Sequence, residues 1–425
     1  MNSNDVLRVF LVTNRFAPSK GGIERQCGLL AHAFVERGMK VTVLTDRFRP
    51  DLRKFEQIDG INVRRVWSLW TMRKPLGLAT RILLRERAKS GPTSSAWGNT
   101  PAHRNQGLPM KLRLRRILSY RIPMYTLCLS VLIVLIRRRK EYDVIQVFQT
   151  NLLAVAAVIA GRITGKPVIA RDAVSGGMDE LTEFLFPRSI SSMVARNCTF
   201  ISLSRHIEQD LLGRGIPPTR VVRIPNSVQL PQILSEAEPK PNTVLFVGNV
   251  SGDFRQKGLD ILFKAWKIVI SEIPESRLTV VGGGDFASFE TLAAEDGIRD
   301  SVDFAGLQEN IGPWYEKAGM FVLPSRYEGM SNALLEAMSF GKACVVTNIS
   351  GSDDLIEHEM NGLKVSSEEP EGLAGAIIEL FKNPAKAKTL GRNARASVEN
   401  HNAPSRIAEQ YAAIYRKVVD DGVSR

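Results

Sequence analysis

Two glutamates in the C-terminal half of this chain have the spacing and the setting to bind a polyol. Seven residues separate Glu328 from Glu336, and their order is Gly329-Met330-Ser331-Asn332-Ala333-Leu334-Leu335. Carboxylate oxygens accept hydrogen bonds from hydroxyl groups, so a pair of them on a loop and its following helix could hold a sugar. A glutamate pair taken alone more often serves a helix or faces solvent, so the flanking sequence has to decide.

The residues around the pair predict how it is positioned. The run Met320-Phe321-Val322-Leu323 is typical of a buried strand and is ended by Pro324-Ser325. A helix is expected to follow, with Ser331 or Asn332 as its N-cap. Glu328 then lies in the loop after the strand, and Glu336 about one turn into the helix. Because ligands of open α/β sheets bind outside the carboxyl ends of strands, this loop is a candidate binding site.

The rest of the chain reads as two α/β halves, which 425 residues are long enough to form. Alternating strands and helices predict a parallel sheet in each half. We predict an N-terminal domain at 1–232, a C-terminal domain at 241–400 and a final helix within 401–425. The proline-containing stretch 230–242 is the expected linker. Strands are predicted at 7–13, 40–44, 63–66, 143–148, 167–170, 199–202, 221–224, 243–248, 277–281, 302–304, 320–323 and 342–347.

Composition excludes several classes of protein. The four cysteines form no CxxC pair and the five histidines form no cluster, which argues against a zinc site or a disulfide framework. No signal peptide is recognisable before the first predicted strand. We therefore predict a cytoplasmic protein with no metal and no cofactor.

The positive charge of the chain is concentrated in one segment. Twelve Lys or Arg and no Asp or Glu occur between Arg87 and Lys140, against a net charge of +13 for the whole chain. Upstream of position 121 the segment mixes basic and apolar residues, as surfaces that lie on anionic lipid do. The apolar stretch 122–136 is too short to span a bilayer, and we favour a buried helix. The segment predicts a peripheral position on the inner face of the plasma membrane, and no motif for nucleic-acid binding accompanies it.

The segment around the glutamates resembles the EX7E element of retaining glycosyltransferases of the GT-B fold, family four. The resemblance rests on Phe304-Ala305-Gly306, on Trp314-Tyr315 through Ala318-Gly319, on Pro324-Ser325, on Glu328 to Glu336, and on Ala337-Met338-Ser339-Phe340-Gly341. It implies two Rossmann-like domains that face each other across a cleft, with a C-terminal helix that crosses back to the first domain. It also implies transfer of a sugar from a nucleotide-sugar donor to a glycan or polyprenyl-linked acceptor.

Three groups could stabilise the negative charge that develops on the diphosphate during such a transfer. They are the Gly21-Gly22 loop before a helix, the cations Arg255 and Lys257 after a strand, and the helix N-terminus that follows Glu328. The resemblance assigns Glu328, Lys257 and Arg255 to catalysis. It assigns donor binding to Gly21, Gly22, Asn249, Gly329, Met330, Ser331, Asn332 and Glu336.

The chain departs from the family pattern at three positions. Asn249 stands where the family has an Arg, and Arg255 from a longer loop could replace that cation. Gln149 and Asn151 occupy the region where the family often has a His, and neither can act as a general base. Ser227 replaces the glycine after Asn226. We expect Gln149, Asn151, Asp172 and Asn226 to bind the acceptor.

Three rival functions remain at this stage. An oxidoreductase is disfavoured because no GxGxxG motif follows the first predicted strand. A non-catalytic sugar- or lipid-binding relative is favoured slightly by Asn249 and disfavoured by Glu328, Glu336 and Lys257. A nucleotide-sugar epimerase of the same fold fits the EX7E context less well than a transferase does.

Overall fold

The computed structural model describes residues 6–19, 21–69, 122–173, 177–183, 187–232, 240–249, 254–284 and 286–423. Most of the basic segment and the linker residues 233–239 lie outside this range. The described residues form two compact units. Of these residues, those up to 203, those in 207–224 and those from 407 onward belong to the first unit, and those in 204–206 and 225–406 belong to the second. Residues 225–232, which we assigned to the N-terminal domain from the sequence, therefore cluster with the second unit.

The first unit is built on a sheet that has eight strands among the described residues. The strands are β1 (Arg8–Val12), β2 (Lys40–Asp46), β3 (Phe55–Ile58), β4 (Ile61–Val66), β5 (Val144–Val147), β6 (Val168–Asp172), β7 (Cys198–Ser202) and β8 (Val221–Arg223). Their order is β3-β4-β2-β1-β5-β6-β7-β8, and all neighbours are parallel except β3 and β4. The strand order therefore reverses between β1 and β5, which makes their carboxyl ends the topological switch point.

Six helices of the first unit are described, and they carry apolar residues toward the sheet. They are α1 (Gly22–Glu36), α2 (Ile122–Arg137), α3 (Leu152–Thr164), α4 (Pro187–Asn197), α5 (Arg205–Gly213) and α13 (Pro404–Val423), with 3-10 turns at Gly177–Glu183 and Pro218–Arg220. The final helix α13 places Ile407, Tyr411 and Tyr415 in the core of this unit. Tyr415 contacts Phe34 with ring centroids 5.5 Å apart and hydrogen-bonds Gln146 of β5.

The second unit is built on a sheet that has six parallel strands among the described residues, in the order β11-β10-β9-β12-β13-β14. The strands are β9 (Thr243–Val247), β10 (Arg277–Val281), β11 (Val302–Gly306), β12 (Met320–Leu323), β13 (Ala343–Thr347) and β14 (Leu363–Val365). The helices are α6 (Leu259–Glu272), α7 (Phe286–Glu295), α8 (Gly312–Lys317), α9 (Asn332–Ser339), α10 (Ser350–Asp353), α11 (Pro370–Lys382) and α12 (Pro384–His401), with 3-10 turns at Phe254–Lys257 and Arg299–Ser301. Here the strand order reverses between β9 and β12.

The structure corrects two expectations about the elements. The strands β3 and β14 were not predicted. The stretch 122–136 does form a helix, but only one face of α2 is buried. Its other face exposes Tyr125, Leu129 and Ile133. No helix of the described residues is long and apolar enough to cross a bilayer.

Candidate active site

The predicted strand, loop and helix around Glu328 are present at the switch point of the second sheet. All four residues of β12 are buried, because helices cover both faces of a central parallel strand. The chain then turns through Pro324 and enters α9, whose N-cap is Ser331. Its hydroxyl accepts a hydrogen bond from the Leu334 N–H at 3.3 Å. Capping by Ser331 confirms one of the two alternatives, and Glu336 lies in the second turn of the helix.

Lys257 and Glu328 form an ion pair between the two strands that flank the reversal. Lys257 ends the 3-10 turn after β9, and Glu328 lies in the loop after β12. The Lys257 Nζ atom lies 2.5 Å from Glu328 Oε1, and the Ser325 hydroxyl donates to the same oxygen at 3.0 Å. The Glu328 side chain is 10% exposed and that of Lys257 is 23% exposed. The pair is therefore partly shielded from solvent, which strengthens its electrostatic interactions, and part of it remains accessible to a ligand.

Glycines allow the two halves of this pair to approach each other. Gly258, directly after Lys257, has φ +65°, and a Cβ there would lie 1.9 Å from the Pro324 carbonyl oxygen. Gly351, at the start of α10, packs on Glu328 so closely that a Cβ would lie 2.5 Å from the Glu328 Cβ. A larger residue at either position would push the Lys257 turn or the Glu328 loop out of place.

Arg326 ties the same loop to helix α6. Its guanidinium contacts Asp260 in a bidentate pair at 2.8 and 2.9 Å, and its backbone N–H donates to the Gln256 carbonyl at 2.9 Å. A third carboxylate, that of Glu368, lies 2.9 Å from Arg326 Nη2. Hydrogen bonds to these carboxylates raise the pKa of Arg326 above its ordinary value. The loop is thus fixed at Arg326 and at Glu328 by charge-assisted bonds.

Glu336 is oriented by an aromatic residue of helix α8. The hydroxyl of Tyr315 lies 3.1 Å from Glu336 Oε2 and also 3.1 Å from the Ala333 carbonyl oxygen. The Tyr315 ring is buried and stacks on Phe340 with centroids 5.3 Å apart. Glu336 is half-buried on α9, so its carboxylate is held in one orientation while part of it remains accessible.

Asn226 belongs to the surroundings of this loop. Its side-chain amide donates to Asn332 Oδ1 at 2.9 Å, and its backbone N–H lies 3.2 Å from the Met330 sulfur. Its own carbonyl accepts from Asn402 at 2.9 Å. We had grouped Asn226 with the acceptor-binding residues. The structure brings it against Met330 and Asn332, which the sequence groups with the donor-binding residues, and its role in acceptor binding stays a prediction.

Arg255, the cation that could replace the family's Arg at position 249, is only partly described by the structure. Asn249 follows β9 and is exposed, and its side-chain oxygen would lie 3.8 Å from a Cβ on Gly283. Arg255 lies in the 3-10 turn Phe254–Lys257, but its side chain is outside the described residues. Of the two candidate cations, Lys257 is the one whose side chain the structure describes at the carboxyl ends of β9 and β12.

In the first unit, the Gly21-Gly22 pair begins helix α1 after β1. Gly21 is the N-cap, and a Cβ there would lie 2.2 Å from Glu24 Oε2. The Glu24 carboxylate, in the first turn of the helix, also accepts from the Ser19 hydroxyl at 3.4 Å. A carboxylate from the chain itself thus lies over the helix N-terminus at which we had expected a phosphate.

The other candidates of the first unit follow β5 and β6. Asn151 is the N-cap of α3, and its side-chain oxygen accepts from the Leu153 N–H at 2.9 Å. Its amide donates to Gln149 Oε1 at 3.3 Å. Asp172 ends β6, is buried, and would clash with a Cβ on Gly177. Helix capping therefore uses the Asn151 oxygen, and Gln149 remains the more accessible of the two residues after β5.

Comparison with known proteins decides the family. A profile described as "Glycosyl transferase 4-like domain" matches residues 21–227, and one described as "Glycosyl transferases group 1" matches residues 241–383. The two matches together cover most of both units. The chain belongs to the group 1 glycosyltransferases.

Individual relatives of this group 1 glycosyltransferase are distant. An uncharacterized glycosyltransferase of Haemophilus influenzae is 30% identical over 226 residues, which are 52% of this chain and 62% of the relative. The chain is thus aligned with less than two thirds of that protein's length. An Escherichia coli UDP-Gal:alpha-D-GlcNAc-diphosphoundecaprenol alpha-1,3-galactosyltransferase is 23% identical over 285 residues, with 62% and 72% covered.

Solved structures show the same fold. The crystal structure of Anabaena Alr3699/HepE in complex with UDP superposes with a TM-score of 0.67 at 17% identity, and covers 97% of this chain and 100% of that one. The chain therefore has the GT-B fold, with two Rossmann-like domains that each contain a parallel sheet.

Sequence reasoning missed two residues that hold the site together in this group 1 glycosyltransferase. Tyr315 was noted only as part of a motif, although the hydroxyl of a buried tyrosine usually finds a hydrogen-bond partner. Arg326 lies between two residues of the motif, and its spacing gave no sign of its partners. Asp260 and Glu368 lie 66 and 42 residues away along the chain. Among the described residues, no group of three or more His, Cys, Asp or Glu could hold a metal ion.

Proposed function

We propose that this protein is a retaining glycosyltransferase that moves a sugar from a nucleotide-sugar donor to a glycan or lipid-linked acceptor. The observation that carries the proposal is the Lys257–Glu328 pair, 2.5 Å apart where the strand order of the second sheet reverses. Lys257 supplies positive charge for the diphosphate, and Glu328 supplies acceptor oxygens for a sugar hydroxyl. The UDP bound to Alr3699/HepE and the UDP-Gal named for the Escherichia coli relative support a nucleotide-sugar as donor.

The proposed chemistry needs little more than positioned charge. When the anomeric bond breaks, the leaving diphosphate gains negative charge, and Lys257 together with the N-terminus of α9 stabilises it. Glu336, held by Tyr315, binds the ribose hydroxyls. The leaving phosphate takes the proton of the acceptor hydroxyl, so that the acceptor attacks from the same face and configuration is retained. In this scheme the protein supplies no general base, and it needs no metal, because Lys257 provides the charge.

The proposed acceptor side is the first unit. Gln149 follows β5 at the switch point of that sheet, where ligands of α/β sheets bind. Its amide can bond a sugar hydroxyl but cannot act as a base. The diphosphoundecaprenol in the name of the Escherichia coli relative favours a lipid-linked acceptor.

Helix α2 favours a position on a membrane surface. Tyr125, Leu129 and Ile133 lie four residues apart on one face and are 46%, 58% and 40% exposed. Arg137, Arg138, Arg139 and Lys140 follow directly, and all are exposed. An apolar face next to basic residues binds anionic bilayers peripherally, and each basic residue contributes about 1 kcal/mol. The basic residues between 87 and 121, which the sequence predicts to lie on anionic lipid, are outside the described residues.

Sedimentation with vesicles tests the membrane part of the proposal. The triple variant Arg137→Gln, Arg139→Gln, Lys140→Gln should pellet less with vesicles rich in anionic lipid, and high salt should weaken the wild type in the same way. A charge-matched control is Lys267→Gln, Lys388→Gln, Arg392→Gln, three exposed residues of the second unit. If the wild type ignores anionic vesicles at low salt, a soluble acceptor becomes the better proposal.

A donor panel tests the enzymatic part. The wild-type protein is incubated with UDP-, GDP- and ADP-sugars, and slow hydrolysis and the rise in Tm are recorded for each. One nucleotide should raise the Tm and be hydrolysed, because a ligand at a hundred times its Kd stabilises a fold by about 2.7 kcal/mol. Binding without turnover would instead support a non-catalytic relative, and change of the free sugar nucleotide into its epimer would support an epimerase. No response to any donor contradicts the proposal.

A further inference from the structure

The first unit contains a second concave site, on the side of α4 that faces the chain between α5 and β8. The cavity has a volume of about 990 Å³. Part of its wall lies at Ala195 and Arg196, directly before β7, and part at Pro217 to Arg220, directly before β8. This part of the wall is therefore at the amino-terminal edge of the sheet. Gly22 and Gln149 follow the carboxyl ends of β1 and β5, so the cavity is separate from the proposed acceptor site.

Arginine side chains dominate the polar lining of this cavity. Four of its lining residues are Arg188, Arg196, Arg214 and Arg220, and none of the described lining residues is Asp or Glu. A volume of this size and a few polar groups on apolar walls are typical of sites for small molecules. The apolar part of the wall includes Met178, Ile216 and Pro217.

One of the four arginines is used by the fold. The Arg214 guanidinium lies 2.6 Å from Asp179 and 3.1 Å from Asp210, and these bonds raise its pKa. Its charge is therefore neutralised by two carboxylates, and it fixes the 3-10 turn Gly177–Glu183 against the end of α5. Arg220 donates to the carbonyl oxygen of Arg196, which joins the two parts of the wall.

The other three arginines of the cavity are not paired with any described carboxylate as Arg214 is. Among the described side chains, no carboxylate lies within 4.0 Å of a guanidinium nitrogen of Arg188, Arg196 or Arg220. Arg188, Ser191, Ser192 and Arg196 recur at helical spacing along α4, so they line the cavity from one face of that helix. Three guanidinium groups and two hydroxyls around one cavity form a surface of hydrogen-bond donors with net positive charge.

We propose that this cavity binds an organic phosphate. Guanidinium groups bind phosphate oxygens through paired N–H donors, and serine hydroxyls add further donors. The sugar or acyl part of the ligand would rest on Met178, Ile216 and Pro217. A soluble phosphorylated metabolite and the headgroup of an anionic lipid carry the same chemistry. The site does not depend on the proposed transfer reaction, because it shares no residue with the Lys257–Glu328 site.

Titration of the full-length protein with inorganic pyrophosphate tests the site. All titrations are made in the Lys257→Ala background, so that binding at the proposed donor site is weakened. Pyrophosphate should bind to this variant, and adding Arg188→Gln and Arg196→Gln should weaken binding by at least about tenfold, since each charge-assisted bond contributes about 1.5–3 kcal/mol. Both arginines are exposed and should be replaceable without unfolding, which circular dichroism checks.

The control carries the same change of charge elsewhere in the first unit. Arg162→Gln and Arg416→Gln replace two exposed arginines on α3 and α13 and should leave pyrophosphate binding unchanged. If pyrophosphate does not bind in the Lys257→Ala background, or if the cavity variant and the control bind it equally, the site is overturned.

Vesicles then identify the source of the phosphate. Vesicles of phosphatidylcholine with added phosphatidylglycerol are sedimented with the cavity variant and the control. Weaker pelleting of the cavity variant than of the control variant assigns the cavity to a lipid headgroup. Equal pelleting of both, with pyrophosphate binding lost only in the cavity variant, assigns it to a soluble phosphate.

Discussion

Both sheets present candidate residues at the same two places, after the first strand and after the strand across the reversal. In the second unit these places hold Lys257 and Glu328, and the two side chains meet at 2.5 Å. In the first unit they hold Gly21-Gly22 and Gln149 with Asn151. There, Glu24 covers the helix N-terminus and Asn151 caps α3. The same strand topology therefore gives the two sheets different carboxyl-terminal edges. The edge of the second sheet carries a charged pair that is accessible to a ligand, whereas most polar groups at the edge of the first sheet bond to the protein itself.

The difference follows from what each edge must bind. A diphosphate carries fixed negative charge in every donor, so a partly shielded cation and an anchored loop can be built in advance. The hydroxyls that an acceptor glycan presents are neutral, and amides such as that of Gln149 suffice to bind them. We infer that substrate charge is recognised in the second unit and acceptor shape in the first.

The largest effect is expected at the charged edge. Lys257→Ala should lower sugar transfer by about a hundred- to a thousandfold, because it removes a donor from the developing charge of the diphosphate. Lys264→Ala, an exposed lysine on the same helical region, is the matched control and should keep wild-type turnover. Steady-state kinetics with the donor identified by the panel measures both. Near-normal turnover in Lys257→Ala would remove the distinction between the two edges.

The next effect concerns stability at the edge of the first sheet. Asp46 ends β2, is fully buried, and accepts from the Ser68 hydroxyl at 2.6 Å. Burial raises the pKa of Asp46 from 3.8 to about 6. The folded protein holds the proton of Asp46 more tightly than the unfolded chain does. The contribution of Asp46 to the free energy of unfolding is therefore fully present below pH 4 and is lost as the pH rises through 6.

Asp46→Asn should therefore raise the Tm at pH 7.5, and the difference from wild type should shrink toward pH 4. The gain at pH 7.5 is up to about 3 kcal/mol, since one pKa unit corresponds to 1.36 kcal/mol. Thermal unfolding at several pH values measures it. An equal pH dependence of Tm in wild type and variant would show that the pKa of Asp46 is not raised in the folded protein.

A smaller effect on stability is expected at Asn151. Asn151→Ala removes the N-cap of α3 and should cost about 1 kcal/mol of unfolding free energy, whereas Asn151→Asp should keep the cap. Transfer activity at a temperature where both variants are folded should fall less than threefold in each case. A large loss of activity in Asn151→Asp, with stability preserved, would instead assign Asn151 to the acceptor, as its place in the sequence had suggested.

The smallest effect is expected at Tyr315. Tyr315→Phe removes the hydroxyl 3.1 Å from Glu336 and keeps the ring that stacks on Phe340. A hydrogen bond of this kind contributes about 0.5–1.5 kcal/mol, so the affinity for nucleotide should fall roughly two- to tenfold. Titration with the nucleotide measures it, with Tm as the check on folding. An unchanged affinity would mean that Glu336 needs no orientation by Tyr315.

The strands and the helix around Glu328 could be predicted from the sequence because their signals are local. Apolar runs of four or five residues marked the central strands, and Ser331 was recognisable as a cap. The hairpin of β3 and β4 was missed although Asp59-Gly60 lies between its strands. Both residues have positive φ, as a two-residue turn of this kind requires. Strand β14 is only three residues long and carries no such signal.

The contacts that hold the site could not be predicted, because they depend on residues far apart in the chain. Asn226 lies about a hundred residues before Met330 and Asn332, and its motif suggested only a strand end. Arg326 pairs with Asp260 of α6 and with Glu368 of the turn between β14 and α11. Charged side chains have many possible partners in a chain of this length, and only packing of the sheet selects among them.

The central claim is that the charged edge of the second unit binds the diphosphate of a nucleotide. The most direct measurement compares the Kd of a nucleoside diphosphate with that of its nucleoside, in wild type and in Lys257→Ala. We predict that wild type prefers the diphosphate, and that Lys257→Ala weakens diphosphate binding by at least about tenfold while leaving the nucleoside unchanged. An equal preference for the diphosphate in both proteins would contradict the claim.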